Sequence, residues 1–193
     1  LSMSHSCGIG EPLSEEEARA IMLIRANIFS LGYSGVSLAV VKTLISMLNA
    51  GINPVLPKKG GVGSSGSLSI GAHLALAMTG KGEAFFNGER MSSDRAFKLC
   101  GLEPVILQTK DCLCLINGTH SMCGIGILAL EDLYIAVKTA EIAAAISLEA
   151  MTGNVAAFDI RINEAKKHQG QRNVASNVLR IIENSELYNL KPR

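Results

Sequence analysis

The 193 residues contain no tryptophan, only three tyrosines and five phenylalanines, and charged side chains make up just 18% of them. Soluble domains ordinarily carry about 25% charge. With so little to cover a free surface, the 48% that is hydrophobic is expected to be buried against further segments or sister subunits. The charges nearly cancel, at a formal +1, which removes any electrostatic argument for nucleic acid or an anionic membrane as a partner. Cys7, Cys100, Cys112, Cys114 and Cys123 contain no C-x-x-C pair. An odd count, in a chain long enough to build a core without staples, predicts reduced thiols and a cytoplasmic location. His5, His73, His120 and His168 lack H-x-x-x-H spacing, so no metal site is expected. Leu1 to Leu13 has neither a basic start nor a sustained apolar segment, so no signal peptide is read there. The longest uncharged run, Cys112 to Leu130, is interrupted by Asn117 to Ser121 and ends at Glu131-Asp132. A membrane span there would be costly.

What is present is mostly helical pattern. Ser14 to Glu17 reads as a capping box that opens a helix running to Leu31, where Gly32 ends it. A second helix spans Ser37 to Ala50, and a third follows a glycine-rich loop near Leu68 to Thr79. Asn87-Gly88 suits a type I′ turn and predicts a small hairpin near 83–91. Helices are also expected over Ser93 to Cys100, about Thr119 to Met151, Ile160 to His168 and Arg172 to Asn184. Ala140, Ala143, Ala144 and Ala145 would let helices approach closely, as inside a bundle. The predicted class is therefore all-α, a helical bundle with one small hairpin, and residues 1–193 read as a single partial domain.

The densest local signal is Lys59 to Ser67, a glycine-rich loop ahead of a helix. Gly61-Val62-Gly63-Ser64-Ser65-Gly66 satisfies G-x-G-x-x-G, but that fingerprint needs a strand before it and a βαβ unit around it. Pro54 and Pro57 argue against a central strand. The alternatives are a flexible connector with a serine cap, or a loop that reacts with itself. In the second, the Gly66 nitrogen attacks the Ser64 carbonyl carbon, which glycine permits because no Cβ blocks the compressed backbone. Loss of one water on closure and of the Ser65 hydroxyl as another leaves an exocyclic methylidene, an electrophile that no side chain supplies.

Blocks along the whole chain decide between these. Leu1 to His5 with Gly8 to Leu13, Gly32-Tyr33-Ser34-Gly35, Leu48 to Gly51, Val62 to Gly66, Ala72 to Leu76, Gly101 to Pro104 and Leu115 to Thr119 resemble the histidine ammonia-lyase branch of the aromatic amino acid lyases. The resemblance implies the self-made cofactor 4-methylidene-imidazole-5-one (MIO) from Ser64-Ser65-Gly66, with Ser65 supplying the methylidene carbon and Gly66 the ring nitrogen. It implies that Asn117 contacts the substrate or the MIO carbonyl. It implies that His5 hydrogen-bonds the substrate ring. The reaction implied is elimination of ammonia from L-histidine to give urocanate, by a homotetramer without metal. The resembling chains are much longer, so this one is read as a fragment or one piece of a split enzyme. The tyrosine base and the carboxylate partners of the family fall outside it, and activity would need complementary segments.

Departures cluster near the loop. Ser64 replaces alanine, Ser67 stands where the family has aspartate, Ile70-Gly71 replaces Pro-Leu, and Gly61 replaces serine. Gly71 should loosen its helix by about 1 kcal/mol relative to alanine. These changes leave two alternatives: a non-catalytic scaffold member, or an MIO lyase or aminomutase acting on another aromatic amino acid.

Overall fold

The computed structural model describes residues 1–61, 63 and 65–186. Contacts divide the chain into two compact units, one from Leu1 to Ala129 and one beginning at Leu130. The fold is predominantly α-helical, with two small antiparallel sheets.

In the first unit the helices are α1 (Ser2–His5), α2 (Glu15–Ser30), α3 (Leu38–Ala50), α4 (Leu68–Met78), α5 (Ser93–Leu99) and α6 (Asp111–Ile116). The capping box forms as the sequence predicts: the Glu17 amide donates to Ser14 Oγ at 3.1 Å, and the Ser14 amide donates to the Glu17 carboxylate at 2.7 Å. Ala18, Ile21, Met22, Arg25 and Phe29 recur at helical spacing and make the buried stripe of α2. Val40, Leu44 and Met47 make that of α3. The helix after the glycine-rich loop is different. In α4, Ile70, Gly71, Ala72, Leu74, Ala75, Ala77 and Met78 are all buried, so the helix is covered on nearly every side. At about 1.5–3 kcal/mol for each fully buried Leu or Met, α4 is the element around which the unit packs.

Strand β1 (Ile9–Pro12) pairs antiparallel with β3 (Pro57–Lys59). In a second sheet, β2 (Asn53–Pro54), β4 (Glu83–Phe86) and β5 (Glu89–Ser92) lie in that order, all antiparallel. The hairpin β4–β5 turns at Asn87 (φ 51°) and Gly88 (φ 78°), as the Asn-Gly step predicts. Pro54 sits on the edge strand β2, where its missing N–H costs no ladder bond. One expectation needs correction. A strand, β3, does feed the glycine-rich loop. It pairs antiparallel, however, so no βαβ unit surrounds the G-x-G-x-x-G string, and the nucleotide reading fails on topology. Pattern reasoning also missed α1, α6 and the strands β1, β2 and β3, each too brief to show a periodicity.

Helix α7 (His120–Ala150) starts in the first unit and is long and apolar enough to cross a membrane by length and composition. In the second unit, Ala145 of α7, Val178 of α9 (Gln169–Ile181) and Ile182 form a small core. Leu148, Phe158 and Leu179 pack against it. Helix α8 (Ile160–Ala165) precedes α9. Of the four alanines expected to face neighbouring helices, Ala145 is buried and Ala140, Ala143 and Ala144 are exposed.

The start of α3 is held from a distance. Asp111, 1% exposed, accepts from the Ser37 amide (2.7 Å), the Ser37 hydroxyl (2.7 Å) and the Gln108 amide (2.8 Å). Burial alone would raise its pKa, but these donors outweigh it and hold the carboxyl below its ordinary 3.8. Asp111→Ala leaves buried amides unpaired and is expected to lower unfolding stability by at least about 2 kcal/mol in urea titrations at pH 7. A smaller loss would show that water replaces the carboxylate.

Candidate active site

The first-unit fold brings two loops together. Gly118 N–H donates to the Ser65 carbonyl at 2.8 Å, and Gly66 and Gly118 form an isolated parallel bridge. Gly66 has φ +85°, and a Cβ built on it would overlap the Gly118 carbonyl. Only glycine fits there. Ser65 itself is exposed, so its side chain faces open space beside the contact. Ser64 lies outside the described residues. The cradle around Gly66, the accessible Ser65 and the donor on the Ser65 carbonyl are what an MIO group formed from this loop would require.

The close approach originates in the two helices that carry the loops. A Cβ on Gly71 would stand 2.8 Å from the Ile116 Cα, 2.8 Å from the Ile116 carbonyl oxygen and 2.8 Å from that of Leu115. Gly71 thus lets the backbone of α6 lie against α4. Since α4 begins two residues after Gly66 and α6 ends one residue before Asn117, this packing places peptide 117–118 against 65–66. The sequence alone presents Gly71 as a helix-weakening departure; in the structure its missing side chain leaves the room that the α6 backbone occupies.

Asn117 reaches this place with its main chain. Its Nδ2 donates back to the Leu113 carbonyl at 3.1 Å. His5 ends α1, which packs along α4, and its Nδ1 bonds within its own segment, to Ser4 Oγ at 2.9 Å and the Leu1 carbonyl at 3.1 Å. The segment after it is tied down by His73, whose Nε2 accepts the Gly8 N–H at 3.2 Å. Burial lowers the His73 pKa, which keeps the ring neutral and able to accept. Ser67 precedes α4 without capping it.

Sequence reasoning missed the polar cluster beneath the contact. Arg25, 4% exposed, donates from Nη2 to the Asn117 carbonyl and lies 4.9 Å from the Phe29 ring centroid. Desolvation lowers its pKa to about 10, against a smaller opposing effect of Cys114, so it stays cationic at neutral pH. His120 is fully buried, and neither ring nitrogen has a partner among the described residues. Desolvation, with the nearby Arg25 charge adding to it, pushes its pKa down to about 3. One signal was available: Arg25 interrupts the apolar stripe of α2, where a charge needs a reason.

A sequence model of the aromatic amino acid lyases matches residues 1–193. The chain belongs to the aromatic amino acid lyase family. It is 46% identical to histidine ammonia-lyase of Alkaliphilus metalliredigens over 187 residues, 97% of this chain and 37% of that protein. Among solved structures it resembles the ergothioneine-degrading enzyme ergothionase of Treponema denticola (TM-score 0.93, 28% identity, 100% of this chain and 38% of that one). It also resembles phenylalanine aminomutase of Pantoea agglomerans (TM-score 0.91, 34% identity, 97% and 36%). The chain therefore spans well under half the length of these relatives. One backbone in this family serves differently named enzymes, so fold alone does not select a substrate.

Two measurements check the site. Gly71→Ala must push α6 from α4, so a loss of about 1–3 kcal/mol is expected in denaturant titrations, together with faster hydrogen exchange at the Gly118 amide. Unchanged exchange would mean that the loops meet for another reason. His120 titrates at 6.5 when unfolded and about 3 when folded, so unfolding takes up about one proton between those values. Stability should rise with pH across this window, and His120→Gln should remove that part of the slope; an identical slope would assign it elsewhere.

Proposed function

We propose that this chain is part of a histidine ammonia-lyase, eliminating ammonia from L-histidine to give urocanate with an MIO group formed from Ser64-Ser65-Gly66. The observation that carries the chemistry is the Gly118 N–H on the Ser65 carbonyl, beside a glycine that nothing else could replace. Identity to histidine ammonia-lyases supports the substrate. When present, the MIO group supplies an electrophile to which the amino acid is drawn. Residues of this chain do the rest. Peptide 117–118 holds the Ser65 carbonyl, Asn117 offers its side-chain amide to the substrate or the MIO carbonyl, and His5 offers its imidazole to the substrate ring.

The base and the carboxylate partners belong to segments beyond this chain. In this reading the working form is a cytoplasmic homotetramer, or this chain with complementary segments, and metal, nucleic acid and membrane play no part. Exposed Leu133, Ile142 and Ile146 on α7 support burial against protein helices rather than a free surface. Two residues favour a second reading, a non-catalytic scaffold. Ser67 carries no charge beside the loop, and Ser64 adds a hydroxyl where the family has a methyl.

Intact mass decides first. A deficit of two waters, localised to the peptide containing Ser64 to Gly66, is expected; an unmodified mass from a folded, assembled sample would favour the scaffold. Assembled with the segments that extend its relatives, the protein should then release urocanate from L-histidine, followed by absorbance. Product from tyrosine with none from histidine would reject the substrate assignment.

A further inference from the structure

Arg25 is a buried cation with no carboxylate partner among the described residues. Its Nη2 bonds the Asn117 carbonyl, its face meets Phe29, and its Nε has no partner among the described residues. Burying a charge this way costs stability that one neutral acceptor does not restore, so a packing role alone does not account for it. Its placement does. The Asn117 carbonyl and the Gly118 N–H are the two ends of one peptide unit. The guanidinium bonds the first, and the second donates to the Ser65 carbonyl at 2.8 Å. A cation on a peptide oxygen draws electron density from its nitrogen and makes the N–H a stronger donor. The alignment is tight, because a Cβ on Gly118 would stand 2.8 Å from Arg25 Nη1.

We propose that Arg25 is a positioning residue that polarises the Ser65 carbonyl through peptide 117–118 and thereby speeds loss of the Ser65 hydroxyl as water. This rests on the reading that Ser64-Ser65-Gly66 cyclises. In the dehydration, the Cα–H electron pair of Ser65 becomes the second bond between Cα and Cβ. The Cβ–Oγ bond breaks, its pair leaves on hydroxide, and the Cα proton ends on that hydroxide to give one water. While a solvent water holds the Cα proton, before passing it to the leaving hydroxide, negative charge rests on the Ser65 carbonyl oxygen, where the Gly118 N–H points. Strengthening that donor lowers the barrier without any contact between Arg25 and the reacting atoms.

The test uses the full chain and two variants that separate charge from hydrogen bonding. Arg25→Lys keeps the charge, and Arg25→Gln keeps a donor without it. The Gly118 amide proton should resonate downfield of ordinary amides in the wild type, stay near that position in R25K and move upfield in R25Q. Water loss from the Ser64 to Gly66 peptide, followed by mass after synthesis, should slow at least tenfold in folded R25Q and much less in R25K. A pinning role predicts that the two variants behave alike, and equal rates or equal shifts would overturn the proposal. Should the wild type lose no water, the cyclisation reading fails while the Gly118 resonance still decides whether Arg25 polarises the peptide. Should R25Q not fold, an ordinary wild-type Gly118 resonance overturns the proposal and a downfield one sustains it.

Discussion

The first unit is organised around the approach of α6 to α4 at Gly71. Without a side chain there, two helix backbones come near enough for the loops that precede one and follow the other to share a hydrogen bond and a bridge. The surroundings serve that approach. Helix α4 is buried on nearly all sides, and Asp111 at the start of α6 is anchored by Ser37 at the start of α3. The glycine-rich loop gains a fixed geometry at Ser65-Gly66 from residues some fifty positions away in the chain.

Electrostatics are concentrated in the same place. The chain has few charges, and one of them, Arg25, lies under the loop contact with a neutral His120 close by. Each is expensive by itself. An imidazole with no partner on either nitrogen and a guanidinium without a carboxylate, among the described residues, both subtract from stability. Such groups are retained in a low-dielectric interior when the field they create has a use. Here it falls on the peptide that touches the Ser65 carbonyl.

Much of the helical layout was legible because its signals are local. The Ser14 capping box, the Asn87-Gly88 turn and the 3–4 spacing of Ala18, Ile21, Met22 and Phe29 each act within a few residues. The structure also places the Asn117-Gly118 step beside Ser65-Gly66, two blocks that resemblance had singled out separately. The antiparallel strand before the loop was not legible, since Pro57-Lys58-Lys59 has neither length nor alternation. Arg25 was overlooked because it reads as an ordinary surface charge until the stripe around it is known to be buried. Gly71 was read only for its helix propensity, which registers a cost and is silent on the close approach of α6.

By itself the sequence determined the helical class, most helix limits and the family, because propensity, caps and motif order are written in neighbouring positions. Only the tertiary structure decided that main chain rather than the Asn117 side chain meets the Ser65 carbonyl, that Arg25 stands behind that peptide, and that Gly71 permits the contact. These depend on distances between segments far apart in the chain, and such distances are set by packing volume and burial, which no local pattern encodes.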